Sequence, residues 1–323
     1  MPAPTPHKPL SLLTRYLDDA LKAELSTRVT PGGVRLADVT RSGLCHPDSA
    51  VGVYAPDSHS YGVFHELFEP ILQHFRAPSL PLGEDLACLS PASVVSTRIR
   101  VARNLAGHAF TAGMSRSERL SVQAKIVRAC GALAPPFEGW VTGLTDIPSH
   151  RLDAMVARRL AFGPHDKYMA AAEIYADWPI GRSVFNTRSR QLAVWINEED
   201  HLRVAVVMPG ACVGDCAAVM AQVMSRLAAH LEFCTDARLG HLTSCPTNVG
   251  SAMRVSYRVD MRRDTACEPL LGRLEDAGTI QIRGAAGEHA ARSGGLVDVG
   301  FRNRVGVSAE QMLQDMEMLM VRA

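Results

Sequence analysis

Apolar residues recur at helical spacing through Leu13, Tyr16, Leu17, Ala20 and Leu21, which predicts an amphipathic helix near the start of the chain. The Thr30-Pro31-Gly32-Gly33 turn follows, with a short segment running to His46-Pro47-Asp48. A second helix, capped by Ser58, carries Tyr61, Phe64, Phe68 and Ile71 on one face, and Pro70 is expected to kink or divide it. The stretch from Ala77 to Ala92 holds Pro78, Pro81, Gly83 and Pro91 with little periodicity. It reads as a linker, so the chain divides into a small helical domain over 1–85 and a larger one over 86–323.

The larger part mixes both periods. Ser115 and Glu118 form a capping box before a helix through Ile126. Gln191–Ile196 and His201–Met208 read as a strand pair around an acidic turn, and Leu239–Ser244 and Arg254–Val259 as further strands. Asp215–Leu231 is helical, with Val219, Val223, Leu227 and Leu231 four residues apart. Gly284–Gly295 has four glycines and four alanines and reads as a mobile loop. Ser308 and Gln311 cap a last helix with Met312, Met316 and Leu319 inward.

Composition narrows the function classes. The 323 residues include 34 Lys+Arg against 33 Asp+Glu, so whole-chain charge gives no case for nucleic acid or an anionic membrane. No stretch approaches the roughly 20 apolar residues of a membrane span, and Met1–Leu10 does not read as a secretory leader. The eight cysteines are dispersed without C-x-x-C spacing, which argues for a reducing, cytoplasmic setting over a disulfide framework or a zinc site. Within the neutral sum, 30 of the 34 basic residues are Arg. Gene composition accounts for such a bias, and so does a need for planar, bidentate contacts to phosphate or carboxylate.

No P-loop, dinucleotide fingerprint, H-E-x-x-H or G-x-S-x-G occurs. Four clusters do carry chemistry. In Ser96-Thr97-Arg98-Ile99-Arg100 a strand would set both guanidinium groups on one face about 7 Å apart, although a solvated face reads the same way. Asn197-Glu198-Glu199-Asp200-His201-Leu202-Arg203 is an acidic turn with an arginine able to hold an anion. Cys245-Pro246-Thr247-Asn248-Val249-Gly250 places a thiol two residues from a hydroxyl and nine from Arg254; such a cysteine is either activated or simply buried. Arg283-Gly284-Ala285-Ala286-Gly287-Glu288 sets a cation and a carboxylate on the Gly-rich segment.

With Gly52-Val53-Tyr54-Ala55-Pro56-Asp57 and Leu67-Phe68-Glu69-Pro70-Ile71, these four clusters give a sequence that resembles the phosphagen (guanidino) kinases from about Leu36 onward. The resemblance implies an α+β fold, with a small all-α N-terminal domain and a larger C-terminal domain whose antiparallel β-sheet is flanked by helices. It implies reversible transfer of the γ-phosphoryl of ATP, bound with Mg²⁺, to a guanidino nitrogen, with ADP as the other product. Ser96, Arg98, Arg100, Arg203, Arg254 and Arg283 would bind the nucleotide. Glu199 and Glu288 would clamp the guanidinium and take its proton, and Cys245 would sit beside it as a thiolate kept ionised by Thr247. The segment around Glu288 would close over the substrates and exclude water.

The short loop Ser49-Ala50-Val51-Gly52-Val53-Tyr54 implies L-arginine as the acceptor, with taurocyamine or another guanidine as the alternative. Monomers and homodimers both occur in the family. The chain departs from the family pattern at Arg159 and Arg258, where His is common, at Ala286, often Arg, and at Ser251, commonly Thr. Lys167 stands where Arg usually partners Asp48. A nucleotide-binding relative without transferase activity is the reading these departures would favour.

Overall fold

The computed structural model describes residues 11–76, 86–284, 295–302 and 304–321. The N-terminal domain is helical: α1 (Leu12–Tyr16), α2 (Asp19–Leu25), α3 (Leu36–Cys45), α4 (Ser60–Val63) and α5 (His65–His74). The single helix expected at the start is broken in two because the Asp18 carboxylate accepts from the Leu21 amide at 2.8 Å and starts α2 afresh. The second expected helix divides at Phe64, not at Pro70, which is accommodated inside α5; at its start the Asp57 carboxylate, not Ser58, accepts from the Ser60 amide. Helix α3 is absent from the periodicity reading, since its buried face is built largely of Thr40, Ser42 and Gly43 beside Leu36 and Val39.

The C-terminal domain is an eight-stranded antiparallel sheet. Its strands are β1 (Val94–Arg103), β2 (Gly139–Gly143), β3 (Ser183–Thr187), β4 (Leu192–Ile196), β5 (Leu202–Pro209), β8 (Met253–Asp260), β9 (Ile280–Gly284) and β10 (Leu296–Phe301). The remaining β6 (Thr235–Asp236) and β7 (Gly240–His241) form a separate two-residue ribbon where a strand over Leu239–Ser244 was expected. The spatial order is β2-β3-β4-β5-β1-β8-β10-β9, which places β1 centrally between β5 and β8. The helices are α6 (Arg116–Gly131), α7 (Ser149–Ala157), α8 (Lys167–Ala171), α9 (Val213–Ala228), α10 (Glu268–Asp276) and α11 (Ala309–Met318). Ser115 caps α6 as expected, but Glu118 turns away to accept from the Ala109 amide at 2.9 Å.

Strand alternation divides the sheet chemically. One face carries Ile99, Val101, Val204, Val206, Val255, Tyr257 and Val299, all buried, and α9 and α11 pack over it. That face supplies the main core. The other carries the arginines described below. A second apolar cluster fills the helical domain and crosses into the larger one through Phe110, Leu242, Val249 and Val305. Backbone bonds cross the same boundary, from Ala55 N–H to Ser244 C=O at 2.7 Å and from Phe110 N–H to Pro56 C=O at 2.8 Å. The expected domain boundary at 85/86 falls beside residues 77–85, outside the described residues.

Candidate active site

The polar face of the sheet is assembled by register. Directly paired residues of antiparallel strands share a face, so the pairings Arg100 with Arg254, Arg98 with Ser256, Ala102 with Arg203 and Asp298 with Arg283 put these side chains on one side. Arg98, Arg100, Arg203, Arg254 and Arg283 all line a cavity of about 500 Å³. Ser49, Ala50, Val51 and Tyr54 of the N-terminal domain line the same cavity, as do Glu199, Cys245 and Thr247. Ser96 shares the strand face but lines a smaller adjoining cavity of about 130 Å³. Glu288, together with the rest of the Gly-rich segment over 285–294, lies outside the described residues.

Arg98 and Arg100, on one face of β1, are short of negative charge among the described residues. Burial, reinforced by the neighbouring cation Arg159, pushes Arg98 down to about 9, and burial with Arg203 and Arg98 nearby pushes Arg100 well below the guanidinium range. Arginine keeps its proton in proteins, so these shifts register an unmet demand for negative charge. The Arg98 Nε is buried without a partner among the described residues. A polyanion would supply what Arg98 and Arg100 lack.

Arg203 differs from the others. Its fork donates to Glu198 Oε1 at 2.7 Å and to Glu199 Oε2 at 2.6 Å, and its guanidinium lies 5.9 Å from the Trp195 ring centroid. Asn248 Nδ2 also donates to Glu199 Oε2, at 3.2 Å. Burial, with Glu198 and Asp200 adding negative charge, still holds the Glu199 carboxyl well above its ordinary range, against the pull of Arg203. Asp200 is buried at the same turn and accepts from Asn104 Nδ2 and from the Ser244 amide, each at 2.7 Å. It therefore ties the Glu199 turn to the residue preceding Cys245. Ser244 is gripped on its other side by Ala55, so both domains fix the thiol.

Cys245 Sγ lies 3.2 Å from Thr247 Oγ1, as the sequence suggested. The expectation of a thiolate concerns Cys245 with a guanidinium beside it. Burial first, and then the charge of Glu199, push the thiol up to about 12, against the smaller opposing effect of Thr247. A cation beside it is what ionisation lacks.

The loop over 49–54 is seated by a glycine contact. Gly43 N–H donates to Gly52 C=O at 3.0 Å, and a Cβ at Gly43 would stand 2.5 Å from that same oxygen. Gly52 itself has φ +85°, which side chains rarely adopt. Gly43→Ala is therefore expected to push the loop outward and raise the KM of the small substrate about tenfold, with the nucleotide KM unchanged; steady-state kinetics with each substrate varied in turn checks this.

Sequence reading missed Asp298, Arg304 and Tyr175 on the cavity wall, and gave Glu198, named in the acidic turn, no role of its own. Asp298 explains two of the departures together: its carboxylate pairs with Arg159 at 2.6 Å and with Arg258 at 2.9 Å. The signal for it, an acidic residue on an apolar strand opposite Arg258 and Arg283, needs a register that sequence alone does not supply. Lys167 does pair with Asp48, at 2.6 Å, and the Tyr168 hydroxyl donates to the same carboxylate at 3.1 Å. Arg103 leaves the cavity and donates to the carbonyls of Ala102 and Ser251.

Two family models match the chain: the N-terminal domain of ATP:guanido phosphotransferase over residues 7–73, and its C-terminal catalytic domain over residues 121–322. An arginine kinase of Schistocerca americana is 30% identical over 319 residues, covering 95% of this chain and 90% of the relative. One of Anthopleura japonica is 34% identical over 322 residues, covering 95% of this chain but only 45% of the longer relative. Among solved structures, lombricine kinase superimposes with a TM-score of 0.83 at 25% identity, covering 94% of this chain and 88% of that one. The duplicated taurocyamine kinase of Schistosoma mansoni, bound to transition-state analogue components, gives 0.85 at 26%, covering 97% and 46%.

Proposed function

We propose, from the premise that this chain belongs to the ATP:guanido phosphotransferase family, that it phosphorylates L-arginine, forming phosphoarginine and ADP in a reversible reaction that buffers ATP. The observation that carries this reading is one cavity lined both by Arg98 and Arg100, short of negative charge among the described residues, and by the buried Cys245 thiol beside Glu199. A nucleoside triphosphate satisfies the first and a guanidinium the second. The loop over 49–54 with Tyr54, and relatives named arginine kinase, support L-arginine over other guanidines.

In this reading Arg98, Arg100, Arg254 and Arg283 neutralise the triphosphate oxygens, with Ser96 toward the nucleoside end. Arg203 holds Glu198 and Glu199 in place with its fork while facing the same anion. Glu199 orients the guanidinium and accepts the proton that its nitrogen gives up as the new N–P bond forms and the bond to the β-phosphate oxygen breaks. Cys245 ionises only when the guanidinium is beside it, so its charge positions the substrate and forms no covalent bond. In this reading Mg²⁺ arrives with the nucleotide, held largely by phosphates and water. Mg²⁺ bound with ATP neutralises part of the phosphate charge. Glu288 is assigned the second clamp on its sequence match alone.

The assignment to the cytoplasm rests on the eight free cysteines, and no described helix is long and apolar enough to cross a membrane. The domain division at 85/86 is likewise part of the proposal. Because structural neighbours include lombricine and taurocyamine kinases, the deciding experiment is a coupled ADP-release assay across L-arginine, lombricine, taurocyamine and creatine. L-arginine is expected to give the highest kcat/KM by at least about tenfold. A higher value for another guanidine reassigns the acceptor, and ATP binding without transfer to any of them removes the catalytic reading.

A further inference from the structure

Among the described residues the cavity is lined by three tyrosines, Tyr54, Tyr168 and Tyr175. Tyr54, Met169 and Cys245 form a small apolar cluster against which Tyr168 and Tyr175 pack. The backbone carrying Tyr175 is turned by left-handed residues on both sides, Glu173 with φ 61° and Asp177 with φ 57°. Arg182, 1% exposed, holds this turn shut: its Nη2 donates to Ile174 C=O at 2.5 Å, and its Nη1 to the carbonyls of Ala176 and Ile180, each at 3.1 Å. The carbonyls on either side of Tyr175 are thus fixed by a single guanidinium. That guanidinium lies 5.3 Å from the Trp178 ring centroid, and Trp178 meets the Tyr175 ring edge to face at 5.8 Å.

The Tyr175 hydroxyl contributes little to this placement. Its hydrogen bond goes to the Met169 thioether at 3.4 Å, a weak acceptor. Burial, with Glu198, Asp166 and Glu199 close by, holds the phenol far above its ordinary range, so it is neutral at all working pH values and sits among the acceptor-side carboxylates. The ring lines the main cavity with Glu199 and Cys245.

We infer that Tyr175 is a specificity-determining residue: its ring, anchored by the Arg182 clamp and Trp178, sets the width of the guanidine admitted beside Cys245 and Glu199. The inference rests on the proposed guanidine site and deepens it. A rigid aromatic wall excludes a substituent that a flexible side chain would yield to, and one methyl group in a closed apolar pocket is commonly worth roughly 10- to 200-fold in kcat/KM.

The test compares the guanidine that the wild type prefers with its N-methyl derivative, at saturating MgATP, in the wild type and in Tyr175→Ala, Tyr175→Leu and Tyr175→Phe. The ratio of the two kcat/KM values is expected to fall at least about tenfold in Tyr175→Ala, to fall less in Tyr175→Leu, and to stay at the wild-type value in Tyr175→Phe. The KM for MgATP should be unchanged throughout, a split that general loosening of the fold would not produce. Tyr175→Leu keeps an apolar contact on Trp178 and carries the test should the alanine variant not fold. An unchanged ratio in the alanine or leucine variant, or an equal fall in Tyr175→Phe, overturns the inference while leaving the proposed reaction intact. A wild type that turns over no guanidine overturns the reaction and this inference with it.

Discussion

Glu199→Gln is expected to lower turnover by roughly 10²- to 10⁴-fold, the range for loss of a positioned proton acceptor. The amide keeps the size of the side chain and can still accept from Arg203 and Asn248, so the loss falls on proton transfer and on charge opposite the guanidinium. The pH profile gives the second half of this expectation. Burial, then Glu198 and Asp200, raise the Glu199 carboxyl from 4.5 to about 7. Only the ionised form accepts the proton, so kcat/KM for the guanidine should rise with pH through that region and level off above it. The same limb should vanish in Glu199→Gln. Stability moves in the opposite sense: the folded state binds the extra proton between 4.5 and about 7, so this group makes the fold less stable as pH rises across that window. A full-sized ascending limb in the Gln variant would show that some other group is titrating.

Arg203→Met should cost both stability and chemistry. Arg203 is buried with Glu198 and pairs with the half-buried Glu199, so its removal leaves two carboxylates without their cation. Breaking a buried ion pair from one side costs about 3–5 kcal/mol, which for a domain of this size lowers the melting temperature by roughly 10 °C. Phosphoryl transfer should fall at least about 10³-fold, since an arginine at the transferred group commonly supplies that much. Arg203→Lys separates the two effects. One ammonium cannot satisfy the two carboxylates that the fork spans at 2.7 and 2.6 Å, so the lysine variant should recover part of the stability and little of the activity. Thermal unfolding and steady-state rates on the same preparations check both. A lysine variant with wild-type turnover would mean that the bidentate geometry is dispensable.

The local elements were legible where a strong pattern met a strong cap. Ser308 starts α11 with Met312 and Met316 inward, and the strand pair around the acidic turn appears as β4 and β5. The reading failed where the buried face is made of small polar residues, as in α3, and where a short side chain restarts a helix, as Asp18 does. It also read a strand over Leu239–Ser244 where a two-residue ribbon stands. This segment is held mainly by contacts from elsewhere, with Tyr61 donating to Thr243 C=O and Asp200 accepting from Ser244 N–H.

The sequence by itself determined the types of groups at the site and the family, because motifs such as Cys245-Pro246-Thr247-Asn248 and Asn197 to Arg203 are local and specific. It also determined that Arg98 and Arg100 share a face, since strand alternation has a period of two. Only the tertiary structure decided that strands β1, β5, β8 and β9 bring five arginines to one floor, because register and strand order depend on long-range pairing. It likewise decided that Asp298 joins Arg159 to Arg258, and that Cys245 is buried near Glu199, which pushes its thiol up. Charge state depends on burial and on neighbours distant in the chain, and neither is a property of a motif.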